Sequence, residues 1–227
     1  MSLKIFIILA VLVAIACLIL LFWSFKIEPN LLEIKDYKLN NDKLAGLKIV
    51  YATDFHIAKS DTKRLNRIIE AINSQKADLI LLGGDFIKGH NDLKTMSPER
   101  IAAKLRKLQA PLGVFSVLGN HDWYIGGRKM KHALQAAGIV VLENDNEVLT
   151  YNEQKFTIAG VADKITCVAD SIDALEIGVA VRKHFGITFS DIEENNKKMI
   201  VSKGLGTSRI PVRFNCKPEI VVIEFTE

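Results

Sequence analysis

Apolar residues run from Ile5 to Phe25, interrupted only by Ser24. At ~1.5 Å per residue in a helix, that run is long enough to cross a hydrocarbon core of about 30 Å. Beyond it the pattern breaks into short alternations and helical spacings. Leu32, Ile34, Tyr37 and Leu39 interleave with polar Lys35 and Asp36, which predicts a half-exposed strand, and Asn40-Asn41-Asp42 makes a turn. Residues 47–52 form an apolar strand, and Leu65, Ile68, Ile69 and Ile72 recur at helical spacing between Asp61 and Gln75. The alternation continues with a strand over 78–82, a helix over 98–108 opened by Pro98, and a strand over 113–118. A helix over 127–137 then leads through Gly138 to a short strand at 139–142, and 147–151 with 155–160 reads as a hairpin. Farther on, Ile172, Leu175, Val179 and Phe185 share one side of a helix capped by Asp170 or Ser171 and stopped at Gly186. Strands alternating with helices predict an α/β layered domain behind one N-terminal transmembrane helix.

The chain has 227 residues, 49% apolar and 25% charged, which excludes a disordered or collagen-like protein. The apolar run outlasts the ~7–15 residues of a secretory h-region and ends in Phe22-Trp23-Ser24-Phe25, so an uncleaved anchor with Trp23 at the interface fits better than a signal peptide. Lys4 on one flank and Lys26, Lys35, Lys38 and Lys43 on the other leave the membrane side open. The net charge of +4 is spread over 30 basic and 26 acidic residues, with no basic, aromatic-interleaved face of the kind that binds nucleic acid. Cys17, Cys167 and Cys216 form no C-x-x-C pair, and the apolar run continues past Cys17, unlike a processed lipoprotein.

Three of the strands end in ligand-type residues: Asp54-Phe55-His56, then Gly83-Gly84-Asp85, then Gly119-Asn120-His121-Asp122. Loops at the carboxyl edge of an α/β sheet converge, so these residues can share one site. Asp and His suit a divalent ion of the zinc, manganese or iron kind, and a carboxylate can bridge two ions. Taken singly, each piece is an ordinary turn or helix cap. Their joint occurrence in this order, each directly after a strand, argues for a metal site.

In this order D-x-H, G-G-D and G-N-H-D resemble the calcineurin-like metallophosphoesterases. The tail from Ser202 to Phe214, followed by Pro218-Glu219-Ile220, is similar to the end of their membrane-anchored bacterial subgroup. The likeness covers 31–162 and 199–225. It implies a layered β-sandwich flanked by helices and a reaction in which activated water attacks a phosphoester in line. It also implies that Asp54 and His56 hold one ion, Asp85 bridges two, and Asn120 holds the second. His121 would protonate the leaving oxygen, oriented by Asp122. The implied cofactors are two ions of manganese, iron or zinc, and the implied substrate is a phosphodiester or pyrophosphate, lipid-linked because the anchor keeps the enzyme at the bilayer. No feature demands a partner chain or sets the oligomeric state.

The family carries three further histidines, two of them in a G-H-x-H loop. This chain has five histidines, at 56, 90, 121, 132 and 184, and no G-H-x-H. The first ion keeps Asp54, His56 and Asp85, and the second keeps Asp85 and Asn120, so the expectation is one weakened site, a second site lost and impaired activity; one alternative is a remnant that binds a metal or phosphate without turnover. The stretch in question, Ala169-Asp170-Ser171-Ile172-Asp173-Ala174-Leu175-Glu176-Ile177 with Phe185-Gly186-Ile187 beyond it, resembles the second helix of acyl carrier proteins. That likeness makes Ser171 the phosphopantetheine attachment position, although the other carrier helices have no counterpart; the other alternative is thus a carrier-type protein modified on Ser171. The expected organisation is an anchor over 1–25, a phosphoesterase-like part over 26–163, a carrier-like helical insert over 164–198, and phosphoesterase-like strands over 199–227. The fold is thereby incomplete in its C-terminal half, with 164–198 replacing the histidine-bearing segment through recombination or a sequence-assembly join.

Overall fold

The computed structural model describes residues 3–89, 94–124, 126–161, 178–181, 192–194, 197–207 and 210–227, those between 178 and 199 by backbone alone. Helix α1 (Leu3–Phe22) carries the apolar run and has no buried residue. It belongs to a helical stretch, Leu3–Asn30, that is long and apolar enough to span a membrane. The chain then alternates as expected through β1 (Glu33–Asn40), β2 (Lys48–Ala52), α2 (Thr62–Ser74), β3 (Leu79–Leu82), α3 (Pro98–Leu105) and β4 (Val114–Ser116). A short helix α4 (Asn120–Tyr124) precedes α5 (Gly127–Ala136) and β5 (Val140–Val141), and β6 (Asp145–Tyr151) and β7 (Gln154–Gly160) make the antiparallel hairpin. Three short strands, β8 (Gly178–Val181), β9 (Ile192–Glu194) and β10 (Lys197–Met199), lead to the final strand, β11 (Glu219–Thr226).

Six strands form one sheet in the order β1-β11-β2-β3-β4-β5, parallel except where β11 meets β2. The period of two in β2 and β3 separates two cores. Val50, Ala52, Ile80 and Leu82 point to one face, where Leu65, Ile68, Ile69 and Ile72 of α2, Ile101 and Leu105 of α3, and Met130 and Leu134 of α5 pack on them. Ile49, Leu79 and Leu81 point to the other, against Phe156 and Ile158 of the β6-β7-β8 sheet. With both faces covered, β3 reads Leu-Ile-Leu-Leu, an unbroken apolar run, as a central parallel strand should. The result is helices on a mainly parallel sheet that is itself stacked on a smaller sheet, the layered α/β sandwich expected.

Two placements differ from the expectation or extend it. Strand β11, from the far end of the chain, inserts between β1 and β2, so the C-terminal strand completes the main sheet rather than adding to its edge. The helix expected over 170–186 is not continuous, because Gly178–Val181 is a strand paired in parallel with β7. Gly-Val-Ala-Val is short, apolar and half β-branched, and the open edge of β7 offers it a ladder, so tertiary pairing overrides the helical spacing. The rest of that carrier-like stretch, Ser171 and His184 included, lies outside the described residues.

Candidate metal centre

Asp54, Asp85 and Asn120 follow β2, β3 and β4 at the same sheet edge, which brings the three loops together. Asp54, His56 and Asp85 all have left-handed backbones, with φ of 55°, 41° and 54°. This conformation is costly for a residue with a side chain and persists only where the surroundings enforce it. Here Asp54 N donates to Gly84 O at 3.1 Å, His56 N to Asp85 O at 2.8 Å and Ile57 N to Phe86 O at 2.8 Å, so the two loops stay zipped beyond their strands. Phe55 and Phe86 root them in the core as stacked rings 5.1 Å apart. Gly119 lets the third loop approach, since a Cβ there would overlap the Asp85 carboxylate.

The imidazole of His56 is buried, with Nδ1 3.3 Å from Ile87 O. Its Nε2 lies 3.6 Å from Asp54 Oδ1 and 3.6 Å from Asp85 Oδ2. Those separations exceed a hydrogen bond. They are close to the ~3–3.5 Å expected between ligand atoms bonded at about 2.0–2.2 Å to a common ion. His121 stands edge-on to His56, ring centres 4.7 Å apart, with Nδ1 3.2 Å from Gly89 O. A carbonyl on one ring nitrogen sets the plane of a histidine, as the outer partners of metal-bound histidines do. Ligand atoms of His56, Asp85 and His121 all lie within 4.8 Å of one another. Asp85 Oδ1 also accepts from His121 N at 3.0 Å, and Asn120, buried, opens α4 beside it. Asp54 is the more open carboxylate, its side chain 30% exposed and its Oδ2 accepting from Thr53 Oγ1. The donor set therefore fits a divalent ion.

Asp122 behaves differently from the expectation that it orients His121. It has no exposed surface, and its carboxylate accepts from Asp85 N (2.8 Å), Phe86 N (2.9 Å), Ile87 N (3.2 Å) and Gly119 N (3.0 Å). It splices the second and third loops together, and the His121 ring meets the Gly89 carbonyl instead. Burial, and next the charge of Asp85, push Asp122 up to about 7 against the pull of those N–H donors.

Four positions escaped sequence reasoning. Arg64 of α2 donates to Phe55 O, His56 O and Leu205 O while pairing with Asp61, so one guanidinium ties the first loop to the C-terminal segment. On the sequence it looks like a surface i,i+3 pair. Arg213, 7% exposed, donates to the carbonyls of Gly204 and Gly206 at 3.0 and 2.6 Å. Gly204 and Gly206 press on the first loop: Gly206 N donates to Asp54 O, and Gly204 has φ of +71° with room for no Cβ, which would sit 2.6 Å from Asp54 Cβ. Gly204→Ala is expected to cost about 1–3 kcal/mol in urea denaturation and to weaken metal binding. Gly138→Ala, equally strained at +83° but facing open space, should cost less and leave metal binding unchanged.

A family profile described as calcineurin-like phosphoesterase matches residues 47–204. An uncharacterized metallophosphoesterase of Aquifex aeolicus is 24% identical over 246 residues, covering 87% of this chain and 93% of its own length. The UDP-2,3-diacylglucosamine pyrophosphatase LpxG of Chlamydia trachomatis is 37% identical across 44% of this chain and 31% of its own length. The phosphodiesterase YaeI of Escherichia coli is 32% identical across 60% of this chain and 52% of its own.

Proposed function

The chain belongs to the calcineurin-like phosphoesterase family and is a metallophosphoesterase-type hydrolase, and from that premise we propose that it hydrolyses a phosphodiester or pyrophosphate at a membrane to which α1 anchors it. The observation that carries this reading is that His56 Nε2 lies 3.6 Å from both the Asp54 and the Asp85 carboxylates, with ligand atoms of His56, Asp85 and His121 within 4.8 Å of one another. These three would hold one ion. Asp85 and Asn120 would contribute to a second, with the carboxylate as the bridge. Manganese, iron or zinc held there would lower the pKa of water and neutralise charge developing on the phosphoryl group. His121, fixed by Gly89 O, would deliver a proton to the leaving oxygen in its protonated form. Asp122 keeps the loops in register, so it acts through their position rather than through the imidazole. The relatives named a diacylglucosamine pyrophosphatase and a phosphodiesterase support this substrate class, and an apolar anchor suits a lipid-linked substrate.

A second reading has its own support. No G-H-x-H occurs in the chain, and the alignment with the Aquifex protein is longer than the 227 residues here, so that relative carries residues with no counterpart in this chain. This favours a protein that binds one ion or a phosphate group without turnover. Full-length protein loaded with manganese and offered bis(p-nitrophenyl) phosphate separates the two. The hydrolase releases nitrophenol, stops on chelation and recovers when manganese is returned. A protein that takes up manganese and releases none is the remnant.

A further inference from the structure

The segment after Gly206 turns three large apolar side chains outward. Ile210 is 64% exposed, Val212 38% and Phe214 63%, while Arg213 between them is buried and holds the Gly204 and Gly206 carbonyls. Arg213 is the one buried residue of 210–215, so the segment is held inward by that side chain and leaves an outer side rich in apolar residues. The outer side adjoins the end of the apolar helical stretch. Arg213 N donates to Ser24 O at 3.0 Å, Cys216 N donates to the Glu28 carboxylate, and Trp23 Nε1 donates to the same carboxylate at 3.0 Å. Glu28 is itself buried in this knot. Trp23 and Phe25, 41% and 39% exposed, extend the apolar surface, and exposed Lys26 and Lys217 flank it.

We propose that Ile210, Val212 and Phe214, together with Trp23 and Phe25, form a second membrane contact that beds the domain into the headgroup region beside the anchor. This inference rests on the reading of α1 as a membrane anchor. If α1 spans the bilayer, its end lies at the interface, where a tryptophan and flanking lysines are favoured. The backbone bond from Arg213 to Ser24 then fixes the segment at the same depth. Apolar side chains at that depth gain burial, and the lysines gain attraction to anionic headgroups. A lipid surface suits the patch better than a second copy of the chain, because the patch is continuous with the apolar helix and rimmed by cations. Through Arg213 the same segment grips the Gly204–Gly206 loop that touches Asp54, so the contact sets the metal centre's position against the bilayer. The substrate class that fits is a phosphoester whose acyl part stays in the membrane.

The test uses full-length protein in phosphatidylcholine–phosphatidylglycerol vesicles, with p-benzoylphenylalanine replacing, one at a time, Phe6 of α1, Phe214, or Val148, which is 56% exposed on β6. After irradiation, adducts are read by mass spectrometry. The expected result is lipid adducts at positions 6 and 214, several-fold above those at 148. Adducts at 6 with none at 214 overturn the second contact and leave the anchor standing. No adduct at 6 overturns the anchor and the inference with it. Equal labelling at 148 and 214, or a crosslink from 214 to another copy of the chain, also overturns it.

Discussion

Asp122→Ala is expected to destabilise the metal-free protein by about 3–5 kcal/mol in urea denaturation, among the largest effects of any single substitution here. The reason is the number of donors that converge on one buried group. Oδ2 accepts from Asp85 N and Gly119 N, and Oδ1 from Phe86 N and Ile87 N. Each buried N–H left without an acceptor costs ~1–3 kcal/mol, and the costs overlap because water can enter the vacated space. Loss of a buried carboxylate crowded by Asp85 offsets part of this, which keeps the expected figure below the simple sum. Asp122→Asn should fall between wild type and alanine. Its amide keeps one acceptor oxygen but turns a donor toward the other pair of N–H groups. If Asp122 acted mainly by orienting His121, both variants would keep their stability and lose only rate. A stability loss that is larger for alanine than for asparagine assigns Asp122 to the loops.

That contrast also shows which parts of the site a sequence can display. The convergence of the loops that carry Asp54, His56, Asp85, Asn120 and His121 was legible because each loop follows a strand of one parallel stretch of sheet, and such strand ends converge whatever the rest of the chain does. The periodicity of β2, α2, β3 and α3 was legible for the same local reason, since each element's burial is written in its own spacing. The work of Asp122 was not, because its partners are backbone N–H groups, which leave no mark on residue identity. Arg64 and Arg213 escaped in the same way: both donate to backbone carbonyls, Arg64 to that of Leu205 far along the chain and Arg213 to those of Gly204 and Gly206 in the nearby loop. The insertion of β11 between β1 and β2 depends on pairing across almost the whole sequence. At Gly178–Val181 a helical spacing was present and misleading, since the edge of β7 was an alternative that local pattern could not reveal. Foldable layers are thus readable from short windows, while the groups that brace the site are defined by backbone partners that residue identity does not reveal.

Asp85→Asn is expected to remove bound metal and to lower any phosphodiester hydrolysis by about a hundredfold or more, since loss of even an outer partner of a metal ligand costs ~10–100-fold. Asp85 has no exposed surface, its Oδ1 accepts from His121 N, and its Oδ2 faces His56 Nε2 at 3.6 Å. An amide in its place keeps the shape but loses the charge. It can satisfy the His121 N–H only by turning its donor toward His56. Asp54→Asn should do less damage to metal content, because Asp54 is the partly exposed carboxylate at the open side and water can take its coordination position. The number of equivalents bound by wild-type protein after manganese loading then decides how the bridge is used. Two per chain, both lost in Asp85→Asn, mean that Asp85 joins two ions and that other donors stand in for the missing histidines. One per chain, lost in the same variant, means that His56, Asp54 and Asp85 form a single-ion site, and turnover must then come from that ion and His121 alone.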